Sequence, residues 1–164
     1  MNCSPLKIVS VCFIAALLFD ACSGSKNATH ENKTINGDWV LKTISTEGVN
    51  GKFASKIFNE ADYNCFIGSS WHFTSKNKHG IYTLDGMSKD CPAVKRNIRW
   101  AVDEPKNATG AFQFSRIDDS GNRQNNSDDF KMIIIALTDN TMQLKSPIIF
   151  EGHPAALIYN FSRK

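Results

Sequence analysis

The sequence lacks several features that would assign the protein to a class at once. The apolar run at residues 8–19 would span about 18 Å as a helix, well short of the roughly 30 Å hydrocarbon core of a bilayer. Basic residues are scattered between acidic ones, although the formal net charge is +3, so the concentrated basic surface of a nucleic-acid-binding protein is missing. No segment repeats at a fixed length. We therefore expect no membrane-spanning helix and no nucleic-acid partner.

Residue spacings typical of catalytic and metal sites are also missing. His72 and His79 are seven positions apart, and His153 lies in a predicted loop, so no two histidines have the spacing of a joint metal site. No serine or cysteine lies in a nucleophile elbow. Four acidic residues flank the longest loop: Asp118, Asp119, Asp128 and Asp129. We interpret them as solvated turn residues, with carboxylate ligands of Ca²⁺ as the alternative. The sequence thus predicts a protein that is not an enzyme and holds neither metal nor cofactor.

The composition is that of a soluble folded domain, with 41% hydrophobic and 21% charged residues among 164. Removal of an N-terminal signal segment would leave enough chain for one domain with a single core.

The first 22 residues have the pattern of an export signal. Lys7 precedes the apolar run at 8–19, and the segment ends in Ala21 and Cys22. This ending resembles a bacterial lipobox, which implies cleavage after residue 21 and lipidation of Cys22. Cleavage by an ordinary signal peptidase near Ala21, leaving a free thiol, is the alternative.

No aspartate follows Cys22 to retain a lipoprotein in the inner membrane. We therefore expect lipid attachment to the bacterial outer membrane, facing the periplasm or the cell surface, with secretion as the alternative. The resulting division is a signal peptide at 1–21, a lipidated tether at 22–35 and one domain at 36–164. The polar residues 27–34 indicate that the tether does not fold.

Beyond the tether, apolar and polar residues alternate with the period of two that strands require. Eight strands are predicted, at residues 37–46, 69–75, 80–84, 94–102, 110–117, 130–137, 142–148 and 156–162. The run at 130–137 is apolar on both faces, which favours a strand covered on both sides. Residues 52–62 have apolar positions near helical spacing and predict one short helix after the first strand.

Eight antiparallel strands joined by short turns suit an up-and-down barrel, because closure removes both sheet edges. A two-sheet sandwich fits the same alternation. Strand patterns alone leave both architectures open.

Two cysteines remain after Cys3 and Cys12 leave with the signal and Cys22 takes its lipid. Cys65 and Cys91 form an even pair in an oxidising compartment, which favours a disulfide. Closing a loop of this length stabilises the fold by about 3 kcal/mol in the chain-entropy model. Two free thiols or a pair of metal ligands are the alternatives.

Several motifs in order resemble those of bacterial lipocalin-like lipoproteins. Gly37-Asp38-Trp39 is similar to the Gly-x-Trp signature of the first lipocalin strand, and Ile98-Arg99-Trp100 to a later strand. The cysteines before Trp71 and before the Ile-x-Trp strand also match. The resemblance covers residues 36–164 and implies an all-β, eight-stranded antiparallel up-and-down barrel, in which Trp39 plugs the base.

Such a barrel encloses room for side chains or for one small ligand. We therefore expect a membrane-anchored monomer that binds a small apolar or amphipathic molecule inside. The candidate ligand-binding residues are Trp71, Phe73, Tyr82, Trp100, Phe112, Phe114, Tyr159 and Phe161. The alternative is that these aromatic side chains fill the barrel and leave no cavity.

Two other interpretations remain open. The protein is alternatively an envelope interaction module that recognises a protein or polymer through its loops, chiefly the loop at 118–129, without an internal ligand. Asn-x-Ser/Thr sequons, at Asn27, Asn32, Asn107, Asn125 and Asn160, would be glycan sites in a eukaryotic secreted protein.

Overall fold

The computed structural model describes residues 26–49, 56–86, 88–103, 110–124 and 129–164, and of residues 26–30 the backbone alone. Predictions at residues 1–25, including lipidation of Cys22, lie outside these residues, as do Asn107, Asn125 and Asp128. The helix α1 spans Lys26–Ile35. The strands are β1 Gly37–Glu47, β2 Lys56–Ile57, β3 Ala61–Asp62, β4 Ser70–Thr74, β5 His79–Asp85, β6 Ala93–Asp103, β7 Ala111–Ile117, β8 Phe130–Leu137, β9 Thr141–Phe150 and β10 His153–Arg163.

Eight strands close into an antiparallel barrel in the order β1-β10-β9-β8-β7-β6-β5-β4, with β1 also paired to β4. The predicted fold class is confirmed: all eight predicted strands are present, and closure excludes the open sandwich. β2 and β3 form a separate two-stranded sheet. We call the end of the barrel where β1 begins the helix end, because α1 precedes it, and the opposite end, where β8 and β10 begin, the hairpin end.

Two register shifts change which side chains face inward. In β1 the shift lies between Leu41 and Thr43, so that Ile44 is buried although simple alternation would place it on the outer face. In β8 the shift lies between Ile134 and Ala136. The expectation that β8 is covered on both sides was wrong, because Ile135 is 47% exposed on the outer face.

The helical segments differ from those that the sequence predicts. Residues 56–62 form the β2–β3 hairpin instead of a helix, followed by a short 3₁₀ helix at Tyr63–Phe66. Conversely, the segment predicted as an unfolded tether contains α1, whose Thr34 and Ile35 are buried. A ten-residue helix is marginal in isolation, so its packing against the barrel stabilises it. No helix in the described ranges is both long and apolar enough to span a membrane.

The helix end is closed by Trp39 and Arg163. The indole N–H of Trp39 donates to the Ile35 carbonyl at 2.8 Å, and the Arg163 guanidinium lies 4.4 Å from the centre of the Trp39 ring. Arg163 also donates to the carbonyls of Thr34 and Asn36, so a cation binds the C-terminus of α1. Gly37 has φ +118°, and a Cβ there would lie 2.6 Å from Arg163 Nη1. Trp39 thus lies at the helix end of the barrel, in contact with both α1 and Arg163.

The predicted disulfide is confirmed. Cys65, in the 3₁₀ helix, is bonded to Cys91, which lies just before β6 at the hairpin end. The bond fixes the chain directly after β3 to the barrel wall.

Candidate functional site at the hairpin end of the barrel

The eight candidate ligand-binding residues all point into the barrel, and each is at most 5% exposed. They pack on one another: the Trp71 and Tyr82 rings stack at 4.7 Å, and Phe73 lies edge-on to Phe112 at 5.4 Å. In this conformation the deep interior is filled by aromatic side chains. A ligand therefore has to enter from an end of the barrel.

The tip of the β2–β3 hairpin inserts into the hairpin end. Phe58 is buried there, and its ring contacts five aromatic side chains at centroid distances of 5.0 to 6.2 Å: Phe66, Trp71, Phe114, Phe130 and Tyr159. Three of these, Trp71, Phe114 and Tyr159, are predicted ligand-binding residues. Phe58 thus occupies the position from which an incoming apolar group would reach them.

The backbone at this tip is strained. Phe58 has φ +51° and Asn59 has φ +50°, and the Glu60 N–H donates to the Ile57 carbonyl at 3.1 Å to close a tight turn. Asparagine tolerates this left-handed region, whereas a bulky aromatic residue rarely adopts it. Burial of the Phe58 ring compensates for the strain.

Glu60 places a carboxylate in the same end of the barrel, and its side chain is only 8% exposed. Arg96 donates to both of its oxygens, at 2.9 and 2.6 Å, and Arg116 donates to Oε2 at 3.1 Å. The Tyr82 hydroxyl donates to Oε2 at 2.9 Å. We call Glu60, Arg96, Arg116 and Tyr82 the Glu60 cluster.

Two arginines face one carboxylate, so the Glu60 cluster carries one excess positive charge. The hydrogen bonds from Arg96 hold the pKa of Glu60 at about 2, against the opposing effect of its burial. Burial, with the hydrogen bond to Glu60, raises the pKa of the Tyr82 hydroxyl. Arg116 is 14% exposed, and its Nε is buried without a hydrogen-bond partner. The cluster therefore retains an unused donor.

A pocket of about 420 Å³ lies beside Phe58 at the hairpin end. Leu157, Tyr159 and Ile148 line it together with Phe58, and the charged residues Lys56, Asp129 and Lys131 also belong to its lining. Burial raises the pKa of the Tyr159 hydroxyl to about 12, so Tyr159 is neutral. The pocket therefore offers both apolar and charged groups to a bound molecule.

A second pocket, of about 260 Å³, lies on the outer wall beneath the described part of the loop at 118–129. His72 and His79 line it together with Asp118 and Asp119. The His72 Nδ1 lies 2.8 Å from Asp38, and the Asn97 amide donates to Asp119 at 2.8 Å. In the ranges that the structure describes, no three His, Cys, Asp or Glu side chains are grouped to hold a metal ion.

The sequence patterns do not predict the Glu60 cluster, although part of the signal is present in them. Arg96 shares its parity with Ile98 and Trp100 on β6, and Arg116 shares its parity with Phe112 and Phe114 on β7. A charged residue on the same inward face as aromatic ones indicates a buried partner. No such pattern marks Phe58 or Glu60, because their turn is not part of the barrel sheet.

Comparison with known proteins gives little similarity. No family model matches the chain, and no curated protein matches it. Among solved structures, bovine odorant binding protein in complex with a selenium-containing odorant is similar at a TM-score of 0.41 and 10% identity. The match covers 81% of this chain and 72% of the bovine one.

Proposed function

We propose that this protein binds a small apolar or amphipathic molecule at the hairpin end of its barrel. The pocket of about 420 Å³ beside Phe58 carries this proposal, since small-molecule sites occupy about 300 to 1,000 Å³ and are lined mainly by apolar side chains. Its wall continues, through Phe58, into the aromatic interior. A ligand that displaces the Phe58 ring would therefore gain contacts with Trp71, Phe114 and Tyr159.

We propose binding and not catalysis for this site. With a pKa of about 2, Glu60 is ionised throughout the physiological range, so it is poorly matched to general acid–base catalysis near neutral pH. Its charge is already engaged by Arg96 and Arg116.

The location that we propose is the bacterial outer membrane, through a lipid on Cys22. The apolar run at 8–19, ending in Ala21-Cys22, supports this proposal. The chain enters the barrel at the helix end, so the pocket lies at the end opposite to the attachment of α1.

Binding is tested with 1-aminoanthracene, an uncharged fluorescent probe of apolar sites. We expect saturable binding to the wild type and at least tenfold weaker binding to Ile148→Trp, because the larger ring fills the pocket. Titration of the probe fluorescence measures both.

Ile135→Trp is the matched control, since Ile135 lies on the outer wall of β8 and is 47% exposed. It should bind the probe as the wild type does. Absence of saturable binding to the wild type, or equal binding to Ile148→Trp, would contradict a site in this pocket.

A further inference from the structure

We propose that the β2–β3 hairpin is a built-in competitor for the ligand, and that the ligand is an amphipathic molecule carrying a carboxylate. Phe58 occupies the position of the ligand's apolar part and Glu60 that of its acidic group. This inference rests on the proposed binding function and specifies the ligand class for the same site.

The chemistry of the Glu60 cluster identifies the acidic group. Arg96 binds both Glu60 oxygens in the two-pronged geometry by which a guanidinium recognises a carboxylate, and Tyr82 adds a third donor. Two buried or half-buried arginines inside an aromatic barrel are costly unless an anion neutralises them. An anion at this position therefore stabilises both arginines, whether it comes from the hairpin or from a ligand.

Glu60 does not accept from every hydrogen-bond donor of the Glu60 cluster. Arg116 bonds Glu60 through Nη1 alone, while its buried Nε has no partner. Glu60 is constrained by the tight turn that places it there. A ligand carboxylate is free of that turn and, in our proposal, shifts along the guanidinium so that it accepts from the Arg116 Nε.

The hairpin is attached to the barrel in a way that permits displacement. β2 and β3 form their own two-stranded sheet, separate from the closed barrel. Side-chain contacts of Phe58 and Glu60 hold the tip in place, and the tip itself has a backbone conformation unfavourable to phenylalanine. Withdrawal of the tip would relieve that strain, and the Cys65–Cys91 disulfide would still fix the chain that follows.

The experiment compares cis-parinaric acid, a fluorescent fatty acid, with its methyl ester, which has the same apolar chain without the charge. We expect the wild type to bind the acid about tenfold more tightly than the ester, because only the acid replaces the Glu60 carboxylate on the arginines. In Glu60→Gln the affinity for the acid should rise by about tenfold, because the competing charge is gone.

Glu47→Gln is the matched control, since Glu47 ends β1 at the same end of the barrel but is exposed and bonded to Lys145. Its affinities should equal those of the wild type. If Glu60 only supports the fold, Glu60→Gln will instead bind the acid more weakly, and the proposal is overturned.

Hydrogen exchange of the wild-type protein gives a test that does not depend on a variant. Saturation with cis-parinaric acid should accelerate exchange of the amides at residues 56–62 while barrel strands are protected. Slower exchange at 56–62, or equal affinities for acid and ester, would overturn the proposal that the hairpin competes with the ligand. If 1-aminoanthracene nevertheless binds, the proposed function stands; if it does not, both proposals fail.

Discussion

At the scale of single residues, Glu60 is the most consequential side chain of the hairpin end. Burial alone would favour its neutral form, yet the hydrogen bonds from Arg96 outweigh that effect and lower its pKa to about 2. The pKa of Tyr82 shifts in the opposite direction, because burial and the neighbouring carboxylate both disfavour its ionised form. The cluster therefore keeps one charge state over the whole physiological pH range.

This shift predicts a pH dependence of stability. The pKa of Glu60 rises from about 2 in the folded protein to its ordinary value of 4.5 on unfolding, so its contribution is complete above pH 4.5 and is lost as the pH falls towards 2. Because Arg96 is 37% exposed and solvent screens the pair, we expect this difference to contribute about 2 kcal/mol. We expect Glu60→Gln to lower the free energy of unfolding at pH 7, with the deficit shrinking between pH 4.5 and 2.

Urea denaturation of the wild type and of Glu60→Gln, at a series of pH values, measures this deficit. Glu47→Gln, at an exposed site, should show little deficit at any pH, because a surface pair contributes little. A deficit for Glu60→Gln that is the same at pH 7 and at pH 2.5 would show that ionisation of Glu60 is not its cause.

At the scale of secondary-structure elements, the β2–β3 hairpin combines strain and burial in one turn. A left-handed backbone at a residue other than glycine costs on the order of 1 kcal/mol, and the buried Phe58 ring compensates for it. The hairpin lies outside the barrel sheet and is held by buried side chains, which is what displacement by a ligand requires.

Substitutions of Phe58 separate the cost of the backbone strain from the stabilisation by the buried ring. Phe58→Ala should lower the free energy of unfolding by about 3 kcal/mol through loss of the buried ring. Phe58→Gly should be at least as stable as Phe58→Ala, because glycine adopts positive φ without strain. Urea denaturation checks both values.

Phe112 is the matched control, since it is also buried but lies in the regular strand β7. There the ordinary order should hold, with Phe112→Gly less stable than Phe112→Ala, because glycine weakens strands. If Phe58→Gly is also less stable than Phe58→Ala, the turn at Phe58 is not strained.

At the scale of the whole molecule, the two ends of the barrel differ in structure. Trp39, Arg163 and α1 close the helix end, through which the chain enters the barrel. The pocket and the Glu60 cluster lie at the hairpin end. The anchor that we propose at the helix end would therefore leave the hairpin end accessible.

The proposed anchor is tested by expression of the full chain in a Gram-negative host. We expect the wild type in the membrane fraction with acyl chains on Cys22, and Cys22→Ser without them and outside the outer membrane, because three acyl chains hold a protein firmly at a membrane. Fractionation and mass spectrometry of the mature N-terminus measure this. A wild type that starts near residue 22 with an unmodified thiol would support ordinary cleavage and secretion.

Local patterns identified much of the fold. Period-two alternation located all eight barrel strands, because a strand with one face in the core repeats its burial every second residue. The alternation also placed the aromatic side chains inside, and the two remaining cysteines indicated their bond.

Other features have no local pattern to reveal them. α1 is polar, and its C-terminus is stabilised by Arg163 from the other end of the chain. The few apolar residues among residues 52–62 have near-helical spacing. Packing of Phe58 inside the barrel instead favours a hairpin at 56–62. Register shifts in β1 and β8 reverse the inward parity by inserting one residue, which simple alternation does not show.

The sequence by itself determined the number of barrel strands and the aromatic character of the interior, since both follow from the order of neighbouring side chains. Only the tertiary structure decided which group neutralises Arg96 and Arg116 and which ring closes the hairpin end. Those contacts join residues 22 to 56 positions apart for Glu60, and such long-range pairing depends on how the closed barrel brings separate strands together.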